Sequence, residues 1–408
     1  MKIAFFSDCY LDLTGGIVTN INLEKAELER RGHTVYIFSS SYPHDEKDIK
    51  ELAKKHIYPV PSCRFFGRGL TPIARRPGII EKWLQKNHPE LQDFDIFYVH
   101  YEAGCSIAGL RLAKKFKIPS IQVMHGREDM GEATLIPFGL RTIVATLLNW
   151  FHSWYLPHSV KVKHDNYLAT TIAKAKMWTL MVNHANVADL VITPSEHFRK
   201  KLIHYGVKRK IVALHHGLSD NIFKNHSAPK SLQPGETLEI IWHSRVSGEK
   251  RIMPFLEALA IVKDGYHLSV YGDGVDLDKA RHFVKKHHLN VTFFGNTNFE
   301  TIKKQFSKSH LDVLVSYNYD TFGMILIEAE AFGVPAFVVD PDLAEVLTPD
   351  EYILAAGPAP QQMADAIIDI IKHPEIIEKI SKKMLLRHNP TTVSSKIDKF
   401  EKIVKTLL

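Results

Sequence analysis

Short runs of consecutive apolar residues recur along the chain, and amphipathic helical segments follow them. Strands that are apolar throughout, rather than at every second position, are typical of parallel sheets covered by helices on both faces. The pattern therefore predicts an α/β protein built from doubly wound parallel sheets. The predicted strands are residues 3–6, 35–38, 96–99, 120–124, 190–193, 238–242, 267–271, 291–294, 313–316 and 336–339.

The length of 408 residues is enough for two such sheets, and a content of 45% apolar and 24% charged residues excludes a disordered chain. Residues 225–236 contain Asn, Ser, two Pro and a Gly without helical or strand periodicity, as linkers do. We therefore predict an N-terminal domain over 1–224, a linker over 225–236 and a second domain over 237–388. The remaining residues, 389–408, are expected to form a helix that packs back on the N-terminal domain.

Three features bear on the location of the protein. The N-terminal residues lack the long apolar run and the cleavage site of a secretory signal, so we expect a cytoplasmic protein with reduced thiols. Residues 135–156 lean apolar, but Arg141 and other polar residues interrupt them, so no membrane-spanning helix is predicted. The cysteines, Cys9, Cys63 and Cys105, are too few for a disulfide framework or a zinc ribbon.

Histidine is frequent, with 23 residues, which raises the question of a metal site. The histidines occur singly or as doublets, without the H-E-x-x-H spacing of a zinc-binding helix. The aspartate pairs Asp276/Asp278 and Asp340/Asp342 share the spacing of a metal-binding D-x-D, but turn and cap roles explain them better. We therefore expect no catalytic metal.

Residues suited to a phosphate follow the first strand of each predicted domain. Gly15 and Gly16 precede the first helix, where glycine lets a backbone approach a phosphate, although a tight turn explains them equally well. Arg245 and Lys250 follow the strand over 238–242, and two cations there suit a diphosphate. A solvated basic loop is the alternative for this pair.

A dense polar segment follows the strand over 313–316. Asp320 and Phe322 precede a predicted helix, and Glu328 lies on that helix. By residue chemistry alone, Asp320 is equally suited to be a helix N-cap, and Glu328 to be a solvated helix residue.

Residues 316–335 resemble the E-x-F-G-x-x-x-x-E-A-x-A-x-G-x-P signature of the retaining GT-B glycosyltransferases, a large family that uses nucleotide-activated sugars. Further segments are similar to that family in the same order along the chain. They are residues 15–16, 31–35, 94–100, 118–119, 125–126, 188–195, 216–217, 272–274, 294–295 and 312–313. The resemblance covers most of the chain except 43–91 and 132–186. It implies the GT-B fold, two facing Rossmann-like domains with a C-terminal helical tail.

The resemblance implies that the donor is a nucleotide sugar, with UDP as the expected nucleotide. Arg245 and Lys250 would hold its diphosphate, and Gly15 and Gly16 would let the backbone approach it. Glu328 would accept hydrogen bonds from the ribose hydroxyls. Cations in these positions also stabilise the charge that grows on the leaving diphosphate.

The resemblance also implies which residues meet the transferred hexose. Asp320 would contact it, and His125 would line the reacting centre. The backbone that follows Asp320 would contribute through Phe322, Gly323 and Met324. In this family the donor phosphate helps to remove the acceptor proton, so neither a protein nucleophile nor a cofactor is expected.

The chain departs from the family pattern at three positions. Asp320 stands where the family has Glu, which shortens the reach to the sugar by one methylene. Ser244 and Arg251 stand where the family has Gly, on either side of Arg245 and Lys250. The identity of the hexose therefore stays open, and so does the question of whether these departures impair catalysis.

Between residues 133 and 186, aromatic side chains alternate with cations and acids are almost absent. Helices of this composition lie in the interface of a bilayer, and an ordinary buried helix pair with a basic edge is the alternative. Within the family, the insertion resembles that of diacylglycerol glucosyltransferases and phosphatidylinositol mannosyltransferases. The predicted membrane contacts are Arg141, Trp150, Trp154, Lys161, Lys163, Lys174, Lys176 and Trp178.

The leading hypothesis is a retaining, metal-independent enzyme that moves a hexose, expected to be glucose, from a UDP-sugar to a membrane lipid. Diacylglycerol is the preferred acceptor, and the enzyme is expected to be peripheral on the cytoplasmic face of the cell membrane. The alternatives are a soluble or polyprenyl-linked saccharide acceptor, and a non-catalytic partner subunit that binds sugar nucleotides. The formal charge of +7 comes without a nucleic-acid-binding motif, so nucleic acid is not expected as a partner.

Overall fold

A computed structural model describes residues 1–8, 16–41, 46–63, 73–129, 136–224, 228–387 and 391–408. The chain forms two units, Met1–His216 together with Val393–Leu408, and Gly217–Thr392. Each unit contains one parallel sheet with helices on both faces. The predicted α/β architecture with two doubly wound parallel sheets is therefore confirmed.

The first unit contains strands β1 to β9 and helices α1 to α7. Its strands are β1 Lys2–Ser7, β2 Thr34–Ser40, β3 Ile57–Val60, β4 Ser62–Cys63, β5 Ile73–Ala74, β6 Ile96–His100, β7 Ser120–Val123, β8 Leu190–Thr193 and β9 Ile211–Ala213. Its helices are α1 Gly16–Arg30, α2 Glu46–Lys54, α3 Pro77–Asn87, α4 Gly104–Phe116, α5 Arg141–Ser153, α6 Ile172–Ala185 and α7 Glu196–His204.

The second unit contains strands β10 to β15 and helices α8 to α14, and helix α15 returns to the first unit. The strands are β10 Leu238–Trp242, β11 Tyr266–Tyr271, β12 Val291–Gly295, β13 Leu311–Leu314, β14 Ala336–Val338 and β15 Tyr352–Leu354. The helices are α8 Asp220–Phe223, α9 Ile252–Val262, α10 Leu277–His287, α11 Phe299–Phe306, α12 Met324–Phe332, α13 Pro360–Lys372, α14 Glu375–Leu385 and α15 Val393–Val404.

The strand order reverses near the centre of each sheet. The large sheet of the first unit runs β3-β2-β1-β6-β7-β8-β9, and the sheet of the second unit runs β12-β11-β10-β13-β14-β15. In open parallel sheets, ligands bind beyond the carboxyl ends of the strands at such a reversal. The ends of β1 and β6, and those of β10 and β13, are therefore the places to look for a site.

The boundary between the units lies at His216 and Gly217, before the predicted linker. Within residues 225–236, Leu232 is buried in the core of the second unit, and the Lys230 amide donates to the Ser381 hydroxyl at 2.8 Å. The described part of this segment is thus packed against the second unit, and the linker position is corrected. Leu218 pairs with Thr392, so the two chain segments next to the boundary lie side by side.

Helix α15 docks on the first unit through an apolar face with helical spacing. Val393, Ile397, Phe400 and Val404 are buried against the strands of the sheet and against α1. Three or four residues separate these positions, which brings them to one face of the helix. The C-terminal segment therefore completes one of the two helical layers of the first unit.

Lys396 of α15 is a buried cation in this layer. Its ammonium group contacts the Glu24 carboxylate of α1 and donates to Asn20 Oδ1 at 3.0 Å. It also contacts Nδ1 of His216 at 3.2 Å. Because Lys396 and Glu24 are 3% and 1% exposed, each charge depends on the other for compensation.

Replacing one partner of this buried pair is expected to cost more stability than replacing both. Lys396→Met leaves the Glu24 charge unpaired and should lower the free energy of unfolding by about 3–5 kcal/mol. The double variant Lys396→Met/Glu24→Gln removes both charges and should recover most of that loss. Urea denaturation of the three proteins measures the difference, and a double variant less stable than the single one would contradict this account.

Candidate functional site

In the second unit, the segment after β10 brings two predicted residues into contact. The Lys250 ammonium donates to both carboxylate oxygens of Asp320, each at 2.8 Å. Lys250 ends a short 3₁₀ turn, Gly248–Lys250, and Asp320 lies in the segment between β13 and α12. Both side chains are largely buried, with 16% and 14% exposure, so this is not a solvated basic loop.

Asp320 is not the N-cap of the following helix. Helix α12 begins at Met324, and Gly323 occupies the N-cap position. A Cβ on Gly323 would lie 2.8 Å from Leu314 Cδ2, which explains why glycine is needed there. The carboxylate of Asp320 is therefore available for Lys250. Phe322 and Met324 are half-buried on either side of this turn.

Arg245 is paired with a different acid from Lys250. Its guanidinium contacts Glu249 Oε1 at 3.0 Å, and its side chain is 65% exposed. The Ser247 hydroxyl donates to the same carboxylate at 2.6 Å. Arg245 thus lies at the same strand end as Lys250 but is held by a different acid.

Glu328 of α12 is bound to a histidine and is not a solvated helix residue. Its Oε2 lies 3.2 Å from Nδ1 of His243, and its side chain is 18% exposed. Nε2 of His243 lies 3.0 Å from Oδ2 of the fully buried Asp312. Neither His243 nor Asp312 was predicted as a site residue. His243 directly follows a buried strand, and this position could have identified it from the sequence.

Two glycines allow the segments after β10 and β11 to approach each other closely. A Cβ on Gly272, where φ is 153°, would lie 2.1 Å from the carbonyl oxygen of Ser244. A Cβ on Gly274 would lie 2.3 Å from that of Val246. Distances this short exclude any side chain, so these glycines fix the path of the backbone that carries Arg245.

Two departures from the family pattern have a structural description. Arg251, in place of Gly, takes a left-handed conformation with φ of 64°, and its guanidinium donates to the Pro358 carbonyl at 2.5 Å. The carbonyl of Ser244, also in place of Gly, accepts a hydrogen bond from the Trp242 indole at 3.1 Å. Arg251 is therefore hydrogen-bonded to the backbone of Pro358, and Ser244 to the side chain of Trp242.

In the first unit, His125 belongs to a group of buried imidazoles. Its Nε2 lies 2.8 Å from Nδ1 of His100 at the end of β6, and its ring stacks on that of His216 at 5.7 Å. Burial, with a smaller contribution from the Lys396 charge, lowers the pKa of His125 to about 3. His125 is therefore a neutral hydrogen-bonding group near pH 7.

Three carboxyl groups lie at strand ends of the first unit, and sequence analysis missed them. Asp8 follows β1 and accepts backbone hydrogen bonds from Ala103, Cys105 and Ser106 at the start of α4. Burial raises the pKa of Glu128 to about 7 and that of Glu102 well above its ordinary value. The signal that could have found them was their position within four residues of the end of a predicted strand.

Of the two glycines predicted near the donor phosphate, Gly16 is the first residue of α1 and is exposed. Gly15 lies outside the described residues. Its role is therefore a prediction from the sequence alone.

The predicted membrane contacts fall into three groups. Trp150 and Trp154 are 55% and 57% exposed on α5 and just after it, and Lys161 and Lys163 are exposed as well. Arg141, Lys174 and Lys176 are partly buried. Trp178 is fully buried, so its assignment as a membrane contact is wrong.

Trp178 is buried because it lies on the inner face of α6. Its ring packs on Tyr205 at 4.3 Å between ring centres, and the guanidinium of Arg127 lies 5.8 Å from the ring centre. The residue therefore belongs to the core between α6 and α7.

Helix α5 presents an exposed apolar face. Its inner side packs on α6 through small residues, including Ala145 and Ala173. The outer side is 52% to 57% exposed at five positions spaced three or four residues apart. They are Leu140, Ile143, Leu147, Trp150 and Trp154. Among the helices within the described residues, none is long and apolar enough to cross a bilayer.

Comparison with known proteins identifies the family. Residues 14–221, just over half of the chain, match the family model described as Glycosyltransferase Family 4. The chain belongs to this family. Residues 223–385 match the model described as Glycosyl transferases group 1, so both halves of this glycosyltransferase carry a family match.

Two curated relatives are similar over nearly the whole glycosyltransferase. One is the alpha-monoglucosyldiacylglycerol synthase of Streptococcus pneumoniae (strain ATCC BAA-255 / R6), 23% identical over 98% of this chain and 85% of the relative. The other is the alpha-monoglucosyldiacylglycerol synthase of Acholeplasma laidlawii, 22% identical over 96% of this chain and 93% of the relative. The predicted resemblance to diacylglycerol glucosyltransferases is thereby confirmed.

Solved structures share the fold of this glycosyltransferase. HepE from Anabaena in complex with UDP is 15% identical, with a TM-score of 0.69 and coverage of 100% of both chains. The sucrose-phosphate synthase of Thermosynechococcus elongatus is 17% identical, with a TM-score of 0.70 over 100% of this chain and 98% of the other. The predicted GT-B fold and the predicted hexosyltransferase activity are consistent with these matches and with the family.

Proposed function

We propose that this glycosyltransferase moves a hexose, expected to be glucose, from a UDP-sugar to diacylglycerol at a membrane surface, with retention of configuration. The observation that carries the proposal is the exposed apolar face of α5, which suits an acceptor that lies in a bilayer. Both curated relatives are named for a lipid acceptor, and one solved neighbour was captured with UDP. An enzyme that acts on a soluble saccharide would not need such an exposed apolar face.

The donor diphosphate would bind at Lys250 and Arg245. In the absence of donor, Asp320 is the counterion of Lys250. An arriving phosphate would take over that role, and the carboxylate of Asp320 would turn to the hexose hydroxyls. Lys250 and Arg245 then stabilise the negative charge that develops on UDP as the bond to the sugar breaks.

The bonds and protons of the transfer balance without a protein nucleophile. The acceptor oxygen bonds to the anomeric carbon on the face from which the phosphate oxygen departs, and the electron pair of the broken bond remains on UDP. The acceptor proton passes to a donor phosphate oxygen. The role of His125 at the reacting centre stays a prediction, and its neutral imidazole fits a hydrogen-bonding partner rather than a charged one.

Glu328 would accept hydrogen bonds from the ribose hydroxyls. Its carboxylate is held by His243 through Oε2, and Oε1 would be the oxygen that meets the ribose. Hydrogen bonds from a hydroxyl to a charged acceptor are stronger than neutral ones, so this contact should favour ribose over deoxyribose.

The apolar face of α5 would enter the lipid interface. Trp150 and Trp154 have the aromatic, amphipathic side chains that prefer the headgroup level, and Leu147 lies between them and the helix start. Lys161 and Lys163 follow the helix, and each cation near an anionic surface contributes about 1 kcal/mol. A location on the cytoplasmic face of the membrane stays a prediction.

Removing either donor-binding side chain should weaken UDP binding. Lys250→Ala removes a cation from the diphosphate, and Glu328→Ala removes the ribose acceptor. A charge-assisted hydrogen bond contributes about 1.5–3 kcal/mol, so each variant should bind UDP at least about tenfold more weakly in calorimetry. Lys279→Ala, an exposed lysine on α10, is the matched control and should bind as the unaltered protein does. Unaltered affinity in both site variants would show that the donor binds elsewhere.

Polar substitutions on the α5 face should separate membrane binding from donor binding. Leu147→Ser/Trp150→Ser removes two apolar side chains from the interface, worth about 3 kcal/mol together, or about a hundredfold in affinity for anionic vesicles. UDP binding should not change, and transfer to a water-soluble short-chain diacylglycerol should persist.

The matched control for this variant is Ile49→Ser, a 45% exposed apolar residue on α2 of the same unit. It should leave vesicle co-sedimentation unaltered. If the α5 double variant and the control co-sediment equally well with anionic vesicles, the α5 face is not the membrane contact.

A further inference from the structure

His243 joins two carboxyl groups that come from different elements of the second unit. Asp312 belongs to β13 and Glu328 to α12, and they lie 3.0 Å and 3.2 Å from the two nitrogens of the imidazole ring. The His243 side chain is 6% exposed. The position of the His243 ring is therefore set by contacts with two other elements, β13 and α12.

We propose that His243 is a positioning residue for donor binding, which fixes the orientation of Glu328 and makes the affinity for the nucleoside diphosphate depend on pH. The inference rests on the proposed role of Glu328 as the acceptor for the ribose hydroxyls. It deepens that role because it names the group that holds the carboxylate in place.

Asp312 is the fixed end of this arrangement. It is fully buried on a central strand, and its Oδ1 accepts the backbone N–H of Val313 at 2.8 Å. Its Oδ2 holds Nε2 of His243, so the ring cannot turn without losing a buried hydrogen bond. Nδ1 then points at Glu328 Oε2, and Glu328, on α12 and 18% exposed, is the end of this arrangement that a ligand can reach.

Two acids face the imidazole, and they determine its charge. Within the part of the chain that the structure describes, these are Asp312 and Glu328, and the third neighbour is the ring of Phe306 on α11, edge-on at 5.2 Å. Burial lowers the pKa of His243, but the two carboxylates raise it by more than burial lowers it. The net result is a pKa of about 8. Burial raises the pKa of Glu328 to about 7.

The protonated ring is the form that can hold both acids. Imidazolium has two N–H donors, one for each carboxylate, whereas neutral imidazole has one. As the pH rises through about 8, the remaining proton stays on Nε2, beside the more deeply buried Asp312. Nδ1 then presents a lone pair to Glu328 Oε2, which repels the carboxylate and releases it from its binding orientation.

Calorimetric titration of UDP and 2′-deoxy-UDP between pH 7.5 and pH 9.5, above the pKa of about 7 of Glu328, tests the proposal. In the unaltered protein, UDP affinity should fall by about tenfold over this range, the effect of one charge-assisted hydrogen bond. The preference for UDP over 2′-deoxy-UDP should shrink in the same pH range. A merely structural histidine would not change the discrimination between these two ligands.

Three variants separate the causes. His243→Asn has an amide that does not ionise, so the pH dependence of UDP affinity near 8 should disappear. Asp312→Asn removes a negative charge beside the ring, so the midpoint should move to lower pH. His267→Asn is the matched control, because Nδ1 of His267 also contacts an acid, Glu239, at 2.8 Å in the same unit. It should keep the profile of the unaltered protein.

Unaltered pH dependence and ligand discrimination in His243→Asn would overturn the proposal. If that variant fails to fold, as thermal unfolding will show, an unshifted midpoint in Asp312→Asn overturns it instead. Failure of the donor-site assignment has a different signature. In that case Glu328→Ala would discriminate between UDP and 2′-deoxy-UDP as the unaltered protein does.

Discussion

The reversal of strand order in each parallel sheet determines where this protein can place charge. Neighbouring strands on the two sides of the reversal send their chains to opposite faces of the sheet, so their carboxyl ends leave an open edge. In the second unit this edge lies at β10 and β13, and it carries His243, Lys250 and Asp320. In the first unit it lies at β1 and β6, where Asp8 and His100 are found. The mostly apolar, buried strands behind these edges stabilise the fold against the cost of burying these charged groups.

The buried charged groups are paired with one another. Lys250 is paired with Asp320 and Glu328 with His243 at the edge of the second sheet, and Lys396 is paired with Glu24 between α15 and α1. Such pairs avoid the cost of an isolated buried charge, and a ligand that supplies its own charge can replace one partner. The Lys250–Asp320 pair is the clearest case, because both of its members are candidates to bind the same donor molecule. In the proposed function, donor binding exchanges one ion pair for another.

Central strands could be predicted from the sequence because their residues are mostly apolar and buried on both faces of the sheet. Five of the strands within the described residues were missed. Three of them, β3, β9 and β15, lie at sheet edges and are only three or four residues long, with most of those residues not fully buried. The other two, β4 and β5, have two residues each and pair only with one another. Lys250 and Glu328 were found through the motif in which they occur. Their partners depend on which strand neighbours which, and this is not local information.

The error at Trp178 has a similar origin. Composition shows that residues 133–186 are rich in aromatic residues and cations, but it does not distinguish the two faces of a helix. Helix α5 turns its aromatic side chains outward, whereas α6 turns Trp178 toward α7. The predicted linker was misplaced because its prolines and glycine concealed Leu232, which the core of the second unit buries.

Analysis of the reaction product tests the central claim most directly. The purified protein is incubated with UDP-glucose and anionic vesicles that contain diacylglycerol, and the lipid product is examined by mass spectrometry and by NMR of the anomeric proton. The account predicts a monoglucosyl diacylglycerol in which the sugar keeps the α configuration of the donor. A β-linked product would contradict the retaining mechanism. Transfer to a soluble saccharide, with none to the lipid, would contradict the proposed acceptor.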